Sequence, residues 1–113
     1  MTILIIGAIV PAFSKTLNPI TKILILDADF KIIKTLSTSS EIETFSQHWQ
    51  HKKELPPSEN PPGQYKIDIH SHESNTRYLY NSNGTARLLT KKMTPEYQIT
   101  DFTLFNKVLG IVK

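Results

Sequence analysis

Asn83-Gly84 is the strongest local signal in this chain. Asn-Gly is the preferred pair for a two-residue type I′ hairpin, in which both central residues take φ above zero. Such a turn sets the pairing of its flanking strands, and a slip of one residue would send every side chain to the other face. Here it places Ser82 opposite Thr85, Tyr80 opposite Arg87, Leu79 opposite Leu88 and Tyr78 opposite Leu89. A Glu73-Ser74-Asn75 turn that sets His72 opposite Thr76 carries the register one strand further. His70 then meets Tyr78, Asp68 meets Tyr80 and Ile69 meets Leu79.

Two faces follow. Ile67, Ile69, Leu79, Ala86 and Leu88 form a core face. Lys66, Asp68, His70, Tyr78, Tyr80, Arg87 and Leu89 form the other. From this second face Asp68, His70, Tyr78, Tyr80 and Arg87 are the expected partner-binding residues. Tyrosine and arginine dominate interaction hot spots, and a stiff sheet holds them within cross-strand reach. Packing beneath a C-terminal helix is the competing reading for the same face.

The rest of the chain supplies elements to match. Ile20–Leu26 and Phe30–Leu36 read as strands joined by an Asp27-Ala28-Asp29 turn. Thr38-x-x-Glu41 and Ser40-x-x-Glu43 both fit a capping box. Ile42, Phe45 and Trp49 then make one apolar stripe on a helix running to about Glu54, which is the natural cover for the core face. Pro56 to Gly63 is a proline-stiffened connector. After the Asn83-Gly84 hairpin, Glu96–Ile99 reads as a short edge strand. Thr100 or Asp101 caps a last helix with Phe102, Phe105, Val108 and Leu109 on one face and Gly110 as its stop. The fold class is α+β: an antiparallel sheet in the order ββ-α-βββ-α, one amphipathic helix on one face and a short C-terminal helix.

The length of 113 residues supports one domain, residues 15–113, preceded by an apolar segment. Met1 to Val10 (MTILIIGAIV) carries no charge and is too short for a membrane-spanning helix, which needs about 20 apolar residues. It has the length of an export-signal core, and Ala12-x-Ser14 is a small-x-small cleavage pattern. Residues 1–14 are therefore expected to be a signal peptide and the mature protein periplasmic or secreted. A buried first strand, Ile3 to Val10, in a cytoplasmic protein is the alternative. An uncleaved segment would make the chain a membrane-anchored subunit of an envelope complex, its one route to a membrane.

Chemistry is poorly served. There are no cysteines, which excludes disulfides, thiolate metal sites and thiol nucleophiles. No G-x-S-x-G, P-loop or G-x-G-x-x-G motif occurs. Asp27-Ala28-Asp29 resembles the opening of a calcium loop but lacks the required glycine and glutamate, which are Ile32 and Thr38 here. Asp68, His70 and His72 on one strand face have the spacing for a surface Zn, Ni or Cu site. His48-x-x-His51 is a weaker pair, because its phase turns it off the apolar stripe. Neither a cofactor nor enzyme activity is expected. The net charge is +3, but eleven lysines are scattered and arginines number two, so no nucleic-acid stripe forms. The expected function is a small exported non-catalytic binding protein, such as an inhibitor or immunity-type protein, with a protein partner. Metal binding is the alternative, and surface tyrosines beside an edge strand permit a homodimer.

Overall fold

A computed structural model describes residues 19–57, 62–90, 92 and 94–111. The segment read as an export signal lies outside them. Among the described residues the fold is α+β, with one antiparallel sheet and two helices. In chain order the elements are β1 (Ile20–Asp27), β2 (Ile32–Leu36), α1 (Ser39–Gln50), β3 (Lys53–Leu55), β4 (Tyr65–Ser71), β5 (Asn75–Tyr80), β6 (Thr85–Leu88), β7 (Glu96–Gln98) and α2 (Phe102–Leu109). The seven strands lie in the order β2-β1-β4-β5-β6-β7-β3.

Local signals settle the helix ends. Thr38, not Ser40, is the N-cap of α1. Its hydroxyl accepts from the Glu41 amide at 3.1 Å, and the Glu41 carboxylate accepts from the Thr38 and Ser37 amides at 3.1 Å each. Gly110 ends α2 at φ 78°, and the Ile111 amide closes on the Asn106 carbonyl at 2.8 Å. Helix α1 stops at Gln50, earlier than the expected Glu54. Lys53–Leu55 leaves it to pair with Glu96–Gln98. The strand expected at Glu96 is therefore interior, and among the described residues β2 and β3 form the edges.

Both hairpin registers differ from expectation, each by an odd number of residues. At Asn83-Gly84 the loop has three residues, not two: the Asn81 amide donates to Thr85 O at 3.0 Å, and Gly84 N donates to Asn81 O at 2.9 Å. This is a type I turn closed by a left-handed residue, Gly84 at φ 90°. Asn83 keeps an ordinary φ because its side chain holds the turn, accepting from Thr85 N at 3.2 Å and Thr85 Oγ1 at 2.8 Å. Tyr80 consequently faces Ala86, and Leu79 faces Arg87. The β4–β5 turn is His72-Glu73, because Ser71 N donates to Ser74 O at 2.9 Å. This sets His70 opposite Asn75, Asp68 opposite Arg77 and Ile67 opposite Tyr78.

Two odd slips cancel on β6 and invert β5 alone. Ala86 and Leu88 stay on the face of Ile67, as expected, and Arg87 stays with Asp68. Tyr78 and Tyr80 cross to the core side, while Arg77 and Leu79 cross to the other. The gain is aromatic burial. Tyr80 is fully buried, and its ring meets Phe105 edge-on at 5.7 Å, while Tyr78 meets Trp49 edge-on at 4.8 Å.

Both helices cover this one face. Phe45 stacks on Trp49 at 5.3 Å and lies 5.4 Å from Phe105 of α2. These rings close over Ile23, Ile25, Ile67 and Leu36, all buried. Truncating Phe45 or Phe105 to Ala would cost about 3–5 kcal/mol. Burying Tyr80 takes one polar device: its hydroxyl donates to Asn106 Oδ1 at 2.6 Å, and Asn106 Nδ2 donates to Ser82 O at 2.8 Å.

Candidate functional site

Among the described residues both helices lie on one side, and the opposite face of β1, β4 and β5 has no helical cover. The register places Lys66, Asp68 and His70 of β4 there, beside Arg77 and Leu79 of β5 and Leu24 and Leu26 of β1. Its centre is a bidentate ion pair. Arg77 Nε donates to Asp68 Oδ1 at 2.6 Å and Arg77 Nη2 to Asp68 Oδ2 at 2.7 Å. The pair is half sunk, with the Asp68 side chain 13% exposed and that of Arg77 36%. The hydrogen bond to Asp68 holds the guanidinium proton even more firmly than usual, against a smaller opposing effect of burial. Beside the pair, Asp68, His70, Asn75, Thr76 and Arg77 line a shallow concavity of roughly 350 Å³.

Phe30 overlooks this cluster. It lies in the β1–β2 turn and is 57% exposed. Lys66 Nζ sits 4.3 Å from its ring centroid and the Arg77 guanidinium carbon 5.3 Å away, both within cation–π range. The turn is tightly tied. Asp27 Oδ1 accepts from the amides of Asp29 at 2.9 Å and Lys31 at 3.0 Å, and Lys66 Nζ reaches Ala28 O at 3.3 Å. The cost appears at Phe30 itself. Its φ of 64° is the one positive value at a non-glycine position among the described residues. A left-handed residue with a side chain costs roughly 1–2 kcal/mol.

The expected partner-binding residues therefore divide. Asp68 and His70 are on the open face. Tyr80 is buried under α2 through the Asn106 hydrogen bond. Tyr78 is half-buried under Trp49, and this burial, with a smaller effect of the Tyr97 charge, raises its hydroxyl pKa. Arg87 keeps the expected side but is largely withdrawn: its Nη1 lies 3.5 Å from Glu96 Oε2, with side chains 16% and 9% exposed. The metal set of the alternative reading, Asp68, His70 and His72, does not assemble. Both oxygens of Asp68 are held by Arg77, and His72 has left the strand for the turn. Among the described residues no group of three His, Asp or Glu stands close enough to hold an ion.

Sequence reasoning missed Arg77 and Phe30. Arg77 was detectable: an Asp68–Arg77 pairing across the strands joins opposite charges, which favours the observed register over one with Asp68 against Tyr80. Phe30 carried no comparable signal, since its exposure depends on where β4 and β5 bring Lys66 and Arg77. On the helix side, Lys52 Nζ lies over Trp49 at 4.6 Å and Tyr97 at 4.9 Å, and burial lowers its pKa. It donates to Trp49 O at 3.2 Å and closes the end of α1. No helix among the described residues is long and apolar enough to cross a membrane. Comparison with protein-family models, curated proteins and solved structures finds no match.

Proposed function

We propose that this chain is a small exported, non-catalytic binding protein that captures another protein on the open face of its sheet, as an inhibitor or immunity-type protein would. One observation carries the reading: among the described residues all helical cover is on one side, while the other presents an exposed aromatic ring beside Lys66 and Arg77, with Asp68 paired to Arg77 on the strands. Strand-borne side chains lose little freedom on binding, which favours recognition by a preformed surface. The binding set is Phe30, Lys66, Asp68, His70 and Arg77, with Tyr78, Tyr80 and Arg87 serving the packing that holds it.

The test uses the full chain, immobilised and exposed to envelope and extracellular fractions of the native host. Wild type and a Leu104→Ala control, altered on the exposed side of α2, should retain the same protein in stoichiometric amount. Lys66→Glu and Arg77→Ala should lose it while their circular dichroism melts stay close to wild type. Equal retention by all four would overturn the surface assignment. An intact mass showing the native protein full-length in the cytoplasm would overturn export.

A further inference from the structure

Phe30 gains little for folding from its position. The residue is more than half exposed, its backbone is held in a conformation that favours glycine or asparagine, and the turn around it is braced by five hydrogen bonds donated by Asp27, Asp29, Phe30, Lys31 and Lys66. A turn selected for stability alone would place glycine here. The bracing removes the entropy that an exposed loop aromatic loses on docking. Two cations of the sheet, Lys66 and Arg77, lie against the ring at 4.3 Å and 5.3 Å from its centroid, and more than half of the residue stays open to solvent. Ile32, 54% exposed, pairs with Leu26 next to it and extends the apolar area. The charge beside the ring is not balanced. Asp68 answers Arg77, whereas Lys66 meets the Phe30 ring and the Ala28 carbonyl but pairs with no carboxylate among the described residues. The chain as a whole carries +3.

We infer that Phe30 is the anchor of the binding face. It is a preformed plug for an apolar pocket on a protein partner, and carboxylates on the pocket rim meet Lys66. This deepens the binding-protein reading and rests on it. An aromatic anchor in a desolvated pocket ringed by weaker polar contacts is the usual form of an interaction hot spot. The unanswered lysine selects an acidic rim.

A random twelve-residue peptide display library, selected on the immobilised full chain, tests the inference with a defined probe. Enriched peptides should combine apolar residues with Asp or Glu. Their affinity should fall at least about 30-fold for Phe30→Ala, several-fold for Lys66→Gln, and not at all for Leu104→Ala. Phe30→Gly, which keeps the turn relaxed, should lose binding as fully as Phe30→Ala; this separates the missing ring from a disturbed loop. Peptides that depend on Arg77 but not Phe30 would overturn the anchor and leave the binding face standing. Peptides that depend on Leu104, or show no acidic enrichment, would overturn both the anchor and its partner chemistry. Two further probes bear on the occupant. Phe30-dependent binding of a dT15 oligonucleotide would assign the ring to base stacking. A concentration-dependent dimer lost in Phe30→Ala would assign it to a second copy. Either result would overturn an acidic protein partner.

Discussion

Tyr80→Phe removes one oxygen from the middle of the core, and its cost can be worked from the contacts. The hydroxyl is fully buried and donates to Asn106 Oδ1 at 2.6 Å. Asn106 is itself only 8% exposed, and its amide nitrogen is already committed to Ser82 O. The substitution leaves a buried acceptor without its donor. A buried polar group stranded in this way costs about 1–3 kcal/mol, and each kcal/mol lowers the melting temperature of a domain this size by roughly 4–8 °C. Urea unfolding at neutral pH, followed by Trp49 fluorescence, should show the midpoint reduced at constant slope. Replacing both partners, as Tyr80→Phe with Asn106→Leu, should cost clearly less than the two single changes added, because nothing polar is then stranded between them. Alkaline titration gives an independent reading. Burial pushes the Tyr80 hydroxyl far above its usual range. The folded state thus holds a proton that the unfolded chain releases near pH ~10, so this stability is present below that pH and is lost as pH rises beyond it. Tyr78, raised in the same direction, adds to the loss. Tyr80→Phe should shallow the alkaline decline. A single-variant cost under about 0.5 kcal/mol, strict additivity with Asn106→Leu, or an unchanged alkaline limb would each refute the reasoning.

Gly84→Ala should destabilise by more than about 2 kcal/mol, since φ is 90° and a β-carbon would lie 2.6 Å from Gln98 Nε2 and 2.7 Å from Phe102 Cβ; a thermal melt decides it. Phe30→Gly should melt above Phe30→Ala by a margin of about 1 kcal/mol, because only glycine relaxes at φ 64°. Thr38→Ala should cost about 1 kcal/mol in the same assay by opening the capping box. The amides of Thr38 and then Ser37 hold the Glu41 carboxyl below its ordinary range, so this contribution is present above pH ~4.5 and is lost as pH falls further. Glu41→Gln should flatten the acid limb of the stability profile.

Features decided within a few residues were legible in the chain itself. The Thr38-x-x-Glu41 cap, the Phe45 and Trp49 stripe, the Asp27 turn and the Gly110 stop each rest on a hydrogen bond or a helical repeat spanning at most two turns. The α+β class and the element order follow from them, apart from β3. Sheet register did not. Both turns lay close to their expected places, but a turn one residue longer or shorter exchanges the faces of a strand, and local chemistry at Asn83-Gly84 allows either length. The choice fell to groups distant in sequence: Tyr80 burying its ring against Phe105 and its hydroxyl on Asn106, Tyr78 meeting Trp49, and Asp68 finding Arg77. For the same reason the open face was expected to carry two tyrosines and carries Arg77 and Phe30 instead. A strand's alternation is written in the chain, but which half of it faces water depends on packing against helices that the strand itself does not encode.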